Sequence, residues 1–399
     1  MLLRNPVRPA RNATGRCGRA GVLLSAAMAV AFWLIPLPTL AAGTVVVLHA
    51  FEGVDGSNPR APLVDGPGPN SFGTSYRGAS GFGTVFMLSA DGSLTTLHSF
   101  NGSDGANPSG SLAQAKGARA CESRNDRPSR DCESEGIDIL GTTERGGQWG
   151  AGTAFKVTPG GRFLMLHAFH GTDGSAPNGL VRASDGNFYG TTQGGGDGGR
   201  GTVFRMTRAG VLTTLHHFAG PDGATPRARL IEGRDGNLYG TTEFGGSFNS
   251  GAVFRMGRAG DYSTLHEFGF GSDGALPLAG LVQGSDGNFY GTTYQGARGY
   301  GTVFRLTPAG ELTTLHAFYP PDGEGGHPYG ALQQGADHYL YGTTEDGGSG
   351  GVGTLFRISP AGSLVVLHSF SGGWRQSAGR PDWRERKHIY WNGGQWWFA

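Results

Sequence analysis

Apolar residues return along this chain in short runs of four to eight, rich in Val, Thr, Phe, Tyr and Leu, each bounded by Gly, Asp, Asn or Pro. Such runs predict β-strands joined by tight turns. One phrase organises them: "DGNFYGTT" spans Asp185 to Thr192 and recurs at Asp286 to Thr293, with "DGNLYGTT" at Asp235 to Thr242. Around it the order is constant: a loop of the type Asp-Gly-x-x-Pro, an apolar stretch such as "AGLVQGSDG", then "NFYGTT", "GTVFRLTPAG" and "ELTTLHAF". Four strands per unit follow. The "SDGN" and "TPAG" tetrapeptides supply residues that tolerate positive φ in the hairpins between them. No useful helical period appears beyond residue 42, which excludes alternating βα units.

The motif Leu-His-x-Phe occurs seven times, with histidines at 49, 98, 167, 216, 266, 316 and 368, so the spacings are 49, 69, 49, 50, 50 and 52. A period near fifty residues built of four antiparallel strands predicts an all-β β-propeller, in which each blade covers its neighbour's apolar face. The glycine of each "YGTT" phrase or its variant (Gly73, Gly141, Gly190, Gly240, Gly291, Gly342) marks a close approach. The phenylalanine of the following strand (Phe86, Phe155, Phe204, Phe254, Phe304, Phe356) is expected to lie across it.

Six complete units run to Phe370, preceded by an unmatched outer strand, "TVVVLHAF". Seven blades are favoured, the last assembled from both termini; a six-bladed ring is the alternative. The 371–399 tail supports seven because Phe370 to Tyr390 is the same 20-residue step as Phe169 to Tyr189. Its tryptophans (Trp374, Trp383, Trp391, Trp396, Trp397) also suggest a carbohydrate-stacking segment. The one long interval holds a polar insertion at about 115–136, with Cys121 and Cys132 inside it.

Composition places the chain outside the cell. Residues 1–42 carry Arg4, Arg8, Arg11, Arg16 and Arg19 ahead of an apolar run and small residues, the pattern of a cleaved export signal. Without it the formal charge falls from +1 to 1 − 5 = −4, which argues against nucleic acid. A secreted, periplasmic or cell-surface monomer with no membrane span in residues 43–399 is expected. In that setting Cys121 and Cys132 predict a disulfide.

"LHxF", "DGNxYGTT" and "GTVFRLTPAG" resemble the GloVer tandem repeat of exported bacterial proteins, over nearly all of 43–370. The resemblance implies a surface or extracellular location and brings no enzymatic activity. "GLVQGSDGNFYGTT" is more distantly similar to blades of NHL and streptogramin-lyase propellers, which implies that the first strand lines the axis and "LHxF" the outer edge.

Candidate chemistry is sparse. Seven equivalent histidines suggest a metal ring, but one per blade on an outer strand keeps them apart, and hydrogen bonding within each sheet is expected instead. The loop aspartates (Asp55, Asp104, Asp173, Asp222, Asp273, Asp322) suggest calcium, but one carboxylate per loop fits an Asx turn better. "GGGDGG" at Gly194 precedes a strand, not a helix, and lacks the phosphate cradle. No nucleophile elbow, His-Glu-x-x-His or paired-carboxylate arrangement occurs. Neither cofactor nor metal is expected. Within the repeats, residues 43–370, only His170, His217, His327 and His338 break the pattern, and His327 shares the expanded loop "PDGEGGHP" with Glu324. The expectation is a non-catalytic propeller presenting loops to a protein or glycan. The alternative is a lyase or hydrolase at the channel mouth, betrayed by titratable groups converging there.

Overall fold

The computed structural model describes residues 49–66, 68–116, 137–371, 389–392 and 395–398. Six antiparallel four-stranded blades follow one another along the chain and surround a central cavity lined by all six. This is a β-propeller. In the fourth blade the strands run from the axis outward as Ile231–Glu232, Leu238–Thr242, Ala252–Met256 and Tyr262–Glu267. The first strand lies innermost and "LHxF" outermost, as the resemblance implied. Among the described residues the one helical element is a 3-10 turn at Pro320–Asp322, and no helix is long and apolar enough to cross a membrane.

Each letter of the recurrent phrase has a mechanical role. Asp185 accepts the Asn187 amide and the Tyr189 hydroxyl (2.8 Å), while Gly186, at φ 85°, makes the turn that brings them together. The same clasp joins Asp235 to Tyr239, Asp286 to Tyr290 and Asp337 to Tyr341. Burial and the adjacent carboxylate push the phenols of Tyr189, Tyr239 and Tyr290 up to about 12. Phe188 and Tyr189 alternate to opposite faces and enter the cores on either side of their blade. Thr191 donates to the Ala228 carbonyl of the next blade, and Thr192 pairs with Thr202 across the sheet at 2.9 Å.

Gly190 sits beneath the Phe204 ring, where an added Cβ would stand 2.6 Å from Cζ; the other five glycines give 2.5 Å against their own phenylalanines. That contact lets each ring lie flat on its sheet and meet the "LHxF" phenylalanine of the preceding blade. Phe100–Phe155, Phe169–Phe204, Phe218–Phe254, Phe268–Phe304 and Phe318–Phe356 all stand 5.2–5.4 Å apart, edge to face. Five apolar clusters, one per junction from blade one to blade six, are built this way.

The outer strand carries a bulge in every blade. Val203 faces His216 and Phe204 faces Thr214, so Leu215 is the extra residue. A bulge turns consecutive side chains to the same side. Leu215 thereby joins the interblade core while His216 reaches the loop beyond.

Six blades are complete, the number first held as the alternative. The favoured seventh blade does not form among the described residues. Phe51 lies against Phe86 at 5.4 Å, the contact that Phe100, Phe169, Phe218, Phe268 and Phe318 each make to the next blade. The tail forms a hairpin of Ile389–Asn392 and Gln395–Phe398 with Trp391 opposite Trp396 in register. The remainder of "TVVVLHAF", Trp374, Trp383 and the insertion with Cys121 and Cys132 lie outside the described residues. Among the described residues no apolar cluster joins blade six to blade one, and Tyr341 is half-buried where Tyr189 and Tyr290 are fully buried.

Two substitutions test these contacts. Gly240→Ala puts a methyl 2.5 Å from Phe254 and 2.7 Å from Leu230, so urea unfolding should show a loss of about 1–3 kcal/mol. A second change, Phe254→Leu, should restore part of it; an unaltered midpoint for Gly240→Ala would refute the close approach. Phe51→Ala, at a half-buried ring, should cost about 1–3 kcal/mol, whereas unchanged melting would remove the N-terminal segment from the ring's closure.

Candidate functional site

The repeated polar groups are bound to one another before any ligand arrives. Five of the seven "LHxF" histidines use Nε2 to meet the aspartate of the following interblade loop: His49–Asp55, His167–Asp173 and His216–Asp222 at 2.7 Å, His98–Asp104 at 2.9 Å, His266–Asp273 at 3.2 Å. The same aspartates take loop amides, Asp55 from Glu52 and Asp222 from Ala219. Hydrogen bonding within each sheet was expected; the bond instead clasps the loop, because the bulge aims the imidazole off the sheet's end. The expected Asx turn does not form: these carboxylates take amides three or four residues before them, as Asp55 from Glu52 and Asp273 from Gly269, where an Asx turn would bond two residues on. On the fifth blade the carboxylate facing His316 is that of Glu324, 3.0 Å away, rather than Asp322, because the extra loop residues carry Asp322 into the 3-10 turn.

These clasps set the titration behaviour. Burial pushes the Asp55 and Asp173 carboxyls up, but the histidine bond and loop amides together hold both below the usual range. Burial depresses the His216 imidazole more than Asp222 raises it.

The off-pattern histidines do not converge. His170 joins the Asp173 clasp at 3.3 Å, His217 accepts the Asp197 amide, and His338 takes the glycine position of the inner turn at φ 65° and meets Ser285 at 3.0 Å. "GGGDGG" forms the end of a strand and the turn into Thr202–Met206. Among the described residues no group of three His, Cys, Asp or Glu could hold a metal ion.

What remains is the axial channel, a cavity of about 1300 Å³. At the end where the Asp-Gly-x-x-Pro loops enter, the residue before each proline is left-handed, as Asn107 and Thr225 are at φ 57° and 54°. Its amide bonds the preceding blade, Asn107 to the Phe82 carbonyl and Thr225 to that of Arg200. The post-proline residue is thereby held at the rim, and it differs between blades: Arg60, Ser109, Asn178, Arg227, Leu278 and Tyr329.

Around this mouth Arg60 stacks over Tyr76 with its guanidinium 3.7 Å from the ring centroid, and Arg227 pairs with the buried Glu243. Asn178 is held by Thr191, the Pro226 carbonyl and Gln193. On the side of blades five and six, His327 lies between Tyr294 (4.8 Å) and Tyr300 (5.5 Å), and Tyr294 meets Tyr329 edge-on. The His327 Nδ1 stands 2.8 Å from Asp346, and its Nε2 has no partner among the described residues. The mouth is thus aromatic and charged, not merely Gly, Ser, Thr and apolar. Sequence reasoning singled out His327 and missed Tyr294, Tyr329, Arg60 and Arg227. The signal available was variation at one register position inside an otherwise fixed phrase.

The fold and this geometry define a repeat-built β-propeller with an asymmetric channel mouth. The Gloeobacter/Verrucomicrobia repeat matches residues 127–324 and 259–383, and the chain belongs to that family. No curated protein matches it by sequence. Among solved structures it is similar to a Bacteroides uniformis protein provisionally named a 6-phosphogluconolactonase, at 17% identity over 78% of this chain and 84% of that one, TM-score 0.50. Also similar are a gluconolactonase from Xanthomonas campestris (14% identity, 60% and 73% covered, TM-score 0.39) and the BP39L lectin from Burkholderia pseudomallei (12%, 78% and 95%, 0.45). At these identities the likeness speaks for the fold alone.

Acid should loosen the ring in two stages. A base with a depressed folded pKa contributes stability above its unfolded value, about 6.5, and loses it on acidification; the depressed aspartates contribute above about 4 and lose it below. Melting temperature followed from pH 7.5 to 3 should fall first through His216 and then more steeply through Asp55 and Asp173. His216→Gln should flatten the first stage, and parallel curves for variant and wild type between pH 7 and 5 would disprove that assignment.

Proposed function

We propose that the protein is exported and binds a glycan at the loop-side mouth of its axial channel, without catalysing a reaction. The arginine-rich, apolar stretch within residues 1–42 supports export. The observation that carries the binding reading is a cavity mouth lined by Arg60, Arg227 and Tyr329, with Tyr294 and His327 packed beside Tyr329, while most of the repeated histidines and loop aspartates are engaged with one another. Tyrosine faces and planar polar groups suit a sugar ring, which offers apolar C–H faces and hydroxyls together. A concave rim suits a glycan end better than a protein surface.

The His327–Asp346 pair favours one second reading. A carboxylate at Nδ1 orients an imidazole so that its Nε2 can accept a proton, the arrangement of a general base for a lyase or hydrolase.

A glycan array with the mature protein tests both. Tyr294→Ala and Tyr329→Ala should each weaken binding of the captured glycan at least tenfold, with melting temperatures within about 2 °C of wild type. Unchanged capture by both variants would exclude the mouth. Turnover of the captured glycan that His327→Gln abolishes would replace binding by catalysis.

A further inference from the structure

The innermost register of the propeller breaks its own rule at one place. Between the loop proline and the core leucine, the residue nearest the axis is Pro62, Ser111, Gly179, Gly280 and Ala331 in five blades. In the fourth it is Arg229. The fold is satisfied there by a small side chain five times out of six, so packing does not call for a guanidinium.

Arg229 lines both the main cavity and a second one of about 480 Å³ on the turn side, and so stands where the two meet. Its side chain is exposed, and the space it faces is the channel. Burial lowers its pKa from the ordinary arginine value, and the group remains charged. No hydrogen bond or ion pair to another described residue engages it. The carboxylate sharing its cavities, Glu232, is taken by the Ser184 amide and hydroxyl and by Arg258. With no partner among the described residues, the guanidinium keeps its N–H donors available to an anion that enters the channel.

We propose that Arg229 anchors an anion-binding site inside the axial channel, taking the carboxylate or phosphate group of a small ligand. A guanidinium meets either group through two parallel N–H···O bonds. The mouth suits that traffic. Arg60, Arg77, Arg145 and Arg227 face it against Glu144 and the Arg227-paired Glu243, so an anion is drawn inward. The site deepens the glycan reading by naming an acidic sugar as ligand, and rests on that reading only for the sugar, not for the anion.

Isothermal titration of the mature protein at low salt distinguishes the two. The probes are trigalacturonate, uncharged trigalactose and inorganic phosphate, each with wild type and with Arg229→Ala, the residue blade six already carries. Wild type should bind trigalacturonate or phosphate, and Arg229→Ala should weaken that binding at least tenfold while its melting temperature stays level or rises. Loss of trigalacturonate binding marks a carboxylate site, and loss of phosphate binding marks a phosphoryl site; both support the proposal. Anion affinity equal in wild type and variant, or a variant melting several degrees lower, overturns it. Wild type that binds trigalactose as tightly as trigalacturonate overturns the anion site but leaves the glycan mouth standing. Phosphate binding that depends on Arg229, with no glycan captured, does the reverse.

Discussion

A phenylalanine ring lying flat on a glycine sets the dimensions of this molecule. Where "YGTT" has no side chain, the ring of the paired strand occupies the gap and presents its edge to the preceding blade's phenylalanine. Any Cβ at that glycine would lift the ring and force the neighbouring sheet outward, and the error would repeat at every junction. The close spacing, the bulge that adds Leu215 to the same core, and the threonine bonds from blade to blade all presuppose it.

With that spacing fixed, the repeated polar residues are consumed internally. Aspartate clasps tyrosine at the inner turn, histidine clasps a loop carboxylate at the outer edge, and threonine pairs with threonine across the sheet. These bonds satisfy groups that burial would otherwise penalise. Function is therefore sought where the repeat is broken. The post-proline rim residues, the His327 loop and Arg229 are all departures from the phrase; the first and last line the channel, and His327 packs beside Tyr294 next to Tyr329.

Much of this is legible before any coordinate. The glycine-phenylalanine contact follows from the pairing of "YGTT" with "GTVF", since a hairpin places them in register. The outer position of "LHxF" follows from strand order. The histidine's partner was not legible, because the bulge that redirects it is a property of the paired strands and not of either alone. Nor was the exchange of Asp322 for Glu324, which depends on how an expanded loop folds into a 3-10 turn. The blade count is mixed: the 20-residue step to Tyr390 marks a strand that does form, while six blades are each complete with their own four strands.

The sequence by itself determined the strand order, the blade and the packing unit, because these depend on contacts between residues a fixed number of positions apart. Only the tertiary structure decided which side chains meet at the axis. Arg60, Tyr329 and the Arg227–Arg229 pair come from three different blades and have no common spacing. Their juxtaposition arises from wrapping the sheets around a centre, where each blade contributes one or two residues and no local pattern records the sum.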